Sequence, residues 1–158
     1  MVNQTSTAPI AAGHATGPKL DFAALDVLVR DSPFHRWLGV GLAKLTPDLV
    51  ELTLPWREEF VSDPTIRYTH GGILATLIDL AADYAITARL GRGVPTVDLR
   101  IDYHKAAMPG PLLARAHVIK LGGTLATAEA HVYDEAGALI ASGRGVYLTL
   151  IRAAPSHA

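Results

Sequence analysis

His70, Gly71 and Gly72 stand together, and Asp79 follows eight residues after Gly71. Two glycines at a helix start let a ligand come close to the backbone. The first N–H groups of a helix have no intrahelical partner and carry the positive end of its dipole. Such a start suits an anion or an oxyanion. By helical rise, Asp79 lies about 12 Å further along the axis. That is too far for it to act on an oxyanion held by its own Gly71. A two-fold dimer would let Gly71 of one subunit meet Asp79 of the other.

The element that positions both is a long helix from about Gly71 to Leu90. Ile73, Leu74, Leu77, Ile78, Leu80, Ala81, Tyr84, Ala85, Ile86 and Ala88 cover most of its circumference. A helix apolar nearly all round is buried. Thr76, Asp79, Asp83 and Thr87 form its one polar stripe. Asp83 reads as structural, facing solvent or pairing with a base such as Arg89. Gly91 closes the helix. Before it, Asp21 caps a short helix that Pro33 stops, and Ser32-Pro33 opens a further turn carrying Phe34 and Trp37. Val40 to Leu45 and Leu49 to Leu54 read as strands around Thr46-Pro47-Asp48, where Pro47 presets φ and Asp48 bonds its own backbone. Trp56 to Thr69 has no period and reads as a loop of functional length.

After Pro95 everything reads as strand. Thr96 to Tyr103 alternates without a break, and Pro111–Lys120, Thr124–Tyr133 and Ala138–Ile151 follow, separated by Gly- and Asp-rich turns. Four strands in succession are most simply an antiparallel meander. The glycines of the last strand allow curvature and close backbone approach. The expected fold class is α+β, with a curved antiparallel sheet wrapped around one long central helix.

The run His70-Gly71-Gly72-Ile73-Leu74-Ala75-Thr76-Leu77-Ile78-Asp79 resembles the His-Gly-Gly…Asp signature of the hotdog-fold acyl-CoA thioesterases, most closely the phenylacetate-degradation (PaaI-like) type. The resemblance runs from about Leu38 to Leu150. It takes in the Thr96-Val97-Asp98-Leu99 strand opening and Gly143 to Tyr147. It implies a hotdog fold and hydrolysis of an acyl-CoA to the free acid and CoA. Asp79 is then nucleophile or general base. The Gly71 N–H of the partner chain polarises the thioester carbonyl. His70 orients the site, and Thr96 holds the place of a hydroxyl that positions water. Gly72, Phe60, Ile73 and Leu77 are expected to contact the substrate, whose acyl group is aromatic or medium-chain. No cofactor or metal is implied, since CoA is part of the substrate. The implied assembly is a homodimer as the minimal active unit and a homotetramer in full. This chain departs from the family in two places. Asp63-Pro64-Thr65-Ile66-Arg67 stands where an Asn is frequent, and Gly122-Gly123-Thr124 stands where basic residues often grip the CoA phosphates.

Two other functions fit the same residues: a non-catalytic acyl-CoA-binding module, and an acyl-thioester dehydratase or hydratase using His70 and Asp79 as acid and base. Other classes drop out. His35, His104, His117 and His131 lack metal-ligand spacing. Ser142 sits within a strand and not on a nucleophile elbow. No phosphate-loop or dinucleotide fingerprint occurs. Fourteen Lys and Arg against fifteen Asp and Glu give a net charge of −1, with no basic run, so no nucleic-acid partner is expected. No stretch reaches the ~20 apolar residues of a membrane span.

The 158 residues make one domain, with 19–152 as its expected extent. Residues 1–18 read as a flexible leader and 153–158 as a loose tail. The chain has no cysteine, which excludes disulfides and fits a cytoplasmic setting. Charged residues are 18%, below the ~25% of an average domain. With a mean hydropathy of +0.24, that shortage points to surface covered in an oligomer.

Overall fold

The computed structural model describes residues 18–150. The expected leader, apart from Pro18, and the expected tail lie outside the described residues. Helix α1, Phe22–Asp31, starts where Asp21 Oδ1 accepts the Ala24 N–H at 2.8 Å. Helix α2, Pro33–Leu38, begins on its proline and ends at Gly39, whose φ of 77° is the left-handed turn that glycine takes without strain. Strands β1, Gly41–Leu45, and β2, Val50–Leu54, form the expected hairpin. At its turn the Asp48 N–H donates to the Thr46 hydroxyl, so Thr46 rather than Asp48 supplies the side-chain bond.

The segment before the long helix is less irregular than its sequence suggests. Glu58–Phe60 is a 3-10 turn, and Val61 bridges Thr69. His70 N–H donates to Phe60 O, and Thr69 N–H to Ala107 O. Helix α3 then runs Gly71–Leu90 and closes at Gly91 (φ 75°), whose N–H reaches Thr87 O.

Strands β3, Thr96–Tyr103, β4, Leu112–Leu121, β5, Leu125–Tyr133, and β6, Leu139–Leu148, complete one six-stranded antiparallel sheet in the order β1-β2-β4-β5-β6-β3. The expected four-strand meander holds only for β4, β5 and β6. Strand β3 pairs with β6 and lies at the edge. The difference lies in the connections. Gly122-Gly123 and the Asp134–Gly137 turn are short enough to force neighbours. His104 to Pro111 is long enough to carry the chain from one side of the sheet into its interior.

The sheet curves around α3, which packs against β2 to β6. Its inner floor is shaved down to alanine: Ala114 and Ala116 on β4, Ala126, Ala128 and Ala130 on β5, all fully buried. Small side chains let a helix of Leu, Ile and Ala lie low on the sheet. Closest approach is at Gly143 on β6. A Cβ there would lie 2.8 Å from Ile78 Cγ2 and 2.6 Å from Arg100 O, so only glycine fits.

Candidate active site

Helix α3 opens on a tightly held glycine pair. His70 is the N-cap, and its Nδ1 accepts the Gly72 N–H at 2.9 Å. That bond uses one of the orphan donors of the helix start. A Cβ on Gly72 would lie 3.0 Å from the same Nδ1, which explains the glycine. Gly71 N–H has no partner among the described residues. It stands at the start of a 20-residue helix, where the dipole favours negative charge.

A cavity of about 410 Å³ opens beside it, lined by residues that include Gly71, Leu74, Tyr103, Lys105 and Ala107. Phe60, Ile73 and Leu77 are absent from that lining. Phe60 and Leu77 are fully buried in the core, and Ile73 packs partly buried against it.

Two turns further, Asp79 is half-buried and is held through one oxygen. Thr96 Oγ1 donates to its Oδ1 at 3.0 Å, and Tyr147 Oη lies 3.1 Å from the same atom and 3.2 Å from the Asp79 carbonyl. Oδ2 is left without a protein partner among the described residues. Burial, the charge of Asp79 and the hydrogen bond to it raise the Tyr147 phenol above its ordinary range, so it stays a donor. Tyr147 reaches Asp79 because Gly145 leaves room. A Cβ at 145 would lie 2.3 Å from Tyr147 Oη and 2.4 Å from its ring. The tyrosine therefore lies along the sheet under the helix. Sequence reading did not single out Tyr147 as a site residue. A glycine two residues before an aromatic on an inward-facing strand is the signal that would have found it.

Thr96 arrives by a different device. It pairs with Tyr147, while Asp98 pairs with Val146, so Val97 is an extra residue in β3. Unbroken alternation from Leu99 and Ile101, which pack inward, would turn Thr96 outward. The bulge restores its aim at Asp79, and Val97 is left exposed.

Asp83, one turn beyond Asp79, meets solvent only in part and does not pair with Arg89, whose guanidinium donates to Pro47 O. Asp83 is half-buried, and its Oδ1 accepts from Thr87 Oγ1 at 3.3 Å. Burial first, then the charge of Asp79, push its carboxyl up to about 7, against the opposing bonds from Thr87 and the Val94 backbone. A carboxyl with a raised folded-state pKa contributes its full share of stability below its unfolded value near 4. That share is lost as pH rises through about 7. The span of roughly three pKa units corresponds to a loss of order ~4 kcal/mol. Asp83→Asn is therefore expected to raise Tm at pH 8 by several degrees and to leave Tm at pH 4 unchanged. Thermal melts across that range check it, and an equal change at both pH values would contradict the burial reading.

Asp63, the first residue of the segment that departs from the expected pattern before His70, has a structural duty here. Its carboxylate accepts from Thr65 N–H at 2.7 Å and Ile66 N–H at 3.0 Å. These bonds hold its pKa below the usual range. They close a turn that ends at Arg67, with its φ of 66°. Among the described residues, no three His, Asp or Glu side chains gather where they could hold a metal ion, and no helix is long and apolar enough to cross a membrane.

Comparison with known proteins adds a second line of observation. Residues 67–141 match the family described as the thioesterase superfamily. A solved structure described as a protein from the thioesterase superfamily shares 48% identity, with a TM-score of 0.79 over 82% of this chain and 97% of that one. Zebra fish thioesterase superfamily member 2 shares 33% identity, with a TM-score of 0.68 over 78% and 93%. A medium/long-chain acyl-CoA thioesterase of Escherichia coli, YigI, is 24% identical over 78% of this chain and 89% of its own length.

Proposed function

As a member of the thioesterase superfamily this chain is a thioester hydrolase, and we propose that its substrates are acyl-CoA esters with aromatic or medium-chain acyl groups. The observation that carries the reading is the Gly71 N–H at the positive end of α3, unpartnered among the described residues and beside a largely apolar cavity. The largely apolar cavity supports an apolar acyl group, and the E. coli medium/long-chain acyl-CoA thioesterase supports the medium-chain part of that range. The His70-to-Asp79 signature supports the PaaI-like type within the superfamily.

In the proposed reaction Asp79 takes a proton from water through Oδ2 as the water oxygen attacks the thioester carbon. The carbonyl electron pair moves onto the oxygen facing Gly71 N–H. Collapse breaks the C–S bond, and the CoA thiolate leaves and takes up a proton. The same placement would allow Asp79 to attack the carbon itself, with hydrolysis of the resulting anhydride. Thr96 and Tyr147 hold the carboxylate, and His70 holds the Gly72 amide away from the reacting centre.

We assign the site to a dimer interface. Strand β3 is an edge strand, with one side unpaired among the described residues. Its Tyr103 end touches Gly71, and its Thr96 end touches Asp79. Antiparallel pairing of two β3 edges about their middle would set the Gly71 end of one subunit against the Asp79 end of the other. That arrangement bridges the two helical turns that one chain cannot. A homotetramer, built as a pair of such dimers, accords with the low proportion of charged residues.

Release of free thiol from a panel of aryl- and alkyl-CoA esters tests the proposal. The expected result is turnover that peaks at aromatic or medium-chain acyl groups. Binding of the esters without turnover on any of them would turn the reading to an acyl-CoA-binding module.

A further inference from the structure

Gly71 is the least constrained kind of residue at the least constrained place in a helix. Its backbone rotates more freely than any other, and first-turn N–H groups lack intrahelical bonds. An oxyanion donor must nevertheless point in one direction before the charge develops. The structure supplies two restraints on the peptide that follows. At its N–H end, His70 Nδ1 accepts from Gly72 at 2.9 Å. At its C=O end, Tyr103 Oη donates to Gly71 O at 3.0 Å. The Tyr103 ring also lies close to the glycine, where a Cβ would come 3.3 Å from Cε1 and Cζ. So the Gly71–Gly72 peptide is gripped at both ends, and the Tyr103 ring crowds its first α-carbon. The peptide before it, which carries the Gly71 N–H, is held in turn where His70 O accepts from Ile73 N–H at 2.9 Å. With the planes on both sides of the Gly71 α-carbon held, the Gly71 N–H keeps one direction.

We propose that Tyr103 is a positioning residue for the oxyanion donor: its phenol and His70 Nδ1 clamp the Gly71–Gly72 peptide and aim the Gly71 N–H. This rests on the reading of that N–H as the group that polarises the thioester carbonyl. Tyr103 does not touch the reacting atoms through its hydroxyl, whose proton is engaged by Gly71 O. It ends the edge strand β3, so the clamp also ties the donor to the strand proposed to pair with a second subunit.

The test uses Tyr103→Phe, which keeps the ring and removes the hydroxyl, beside Tyr103→Leu, which removes both. For Tyr103→Phe, kcat falls about ten-fold, the factor one positioning hydrogen bond is worth, and KM stays within about two-fold. Tyr103→Leu falls further. A readout independent of turnover comes from two unreactive CoA analogues. One is a ketone with CH2 in place of sulfur, and the other is a thioether lacking the carbonyl. Tyr103→Phe should weaken the ketone about ten-fold and leave the thioether unchanged. A role in folding alone would weaken both equally or neither.

Wild-type enzyme that hydrolyses esters and prefers the ketone, with Tyr103→Phe behaving identically, overturns the clamp alone. Wild-type enzyme that hydrolyses no ester and binds both analogues alike overturns the donor assignment itself, and the clamp with it.

Discussion

Asp79→Asn lowers kcat by about two to four orders of magnitude, the usual span of a general acid–base role. KM and Tm stay near wild type. Asparagine has the same shape, and its side-chain oxygen still accepts from Thr96 and Tyr147. The fold therefore loses no hydrogen bond at that position. What disappears is the charge and the capacity of the second oxygen to take a proton or attack carbon. The Gly71 N–H remains, so a residual rate above the uncatalysed one remains with it. Stability at alkaline pH should not fall, because the substitution removes one of the two causes that raise Asp83. Thiol release at saturating ester, with melting curves on the same preparations, decides the matter. A variant that turns over at the wild-type rate would remove Asp79 from the chemistry.

Two inactive variants restore one another when they share a dimer. Gly71→Pro deletes the donor N–H, and the backbone tolerates it. Proline suits the first helical position. The preceding His70, at φ −59° and ψ 135°, already has the extended conformation that proline demands of its neighbour. The Tyr103 ring must yield by a few tenths of an ångström. Alone, Gly71→Pro should lose about 10²- to 10³-fold in kcat, as oxyanion-donor deletions do. A dimer of one Gly71→Pro chain and one Asp79→Asn chain carries one site with both groups intact and one with neither. Preparations purified through a different tag on each chain should therefore recover about a quarter to a half of wild-type activity. Activity no greater than the sum of the two parents would place Gly71 and Asp79 in a site within one chain.

The legibility of this chain divides along the range of the forces involved. Helix α3, its glycine start and its polar stripe follow from a 3.6-residue period, and they stand where the sequence puts them. So do the Asp21 cap and the strands flanking the tight turns. What was not legible depends on non-local geometry. The pairing of β3 with β6 is set by a connection too long to dictate a neighbour. The Val97 bulge hides in a segment whose letters alternate without a break, because one extra residue leaves the composition of the strand unchanged. Asp83 looks like any carboxylate on a helix until the Val94 backbone closes on it. The same holds at the cavity. Phe60 and Leu77 have the right chemistry to line it, but the fold spends them on the core. The lining comes instead from the ends of segments such as Tyr103 to Ala107.

Gly145 and Tyr147 behave as one unit of inheritance. The ring occupies the space a side chain at 145 would take, so position 145 is not free to vary while the ring stays. A larger residue at 145 evicts the tyrosine from the carboxylate. A smaller residue at 147 leaves a void beneath the middle of α3. A descendant that carries a side chain at 145 therefore needs a second, coordinated change at 147 on the same strand.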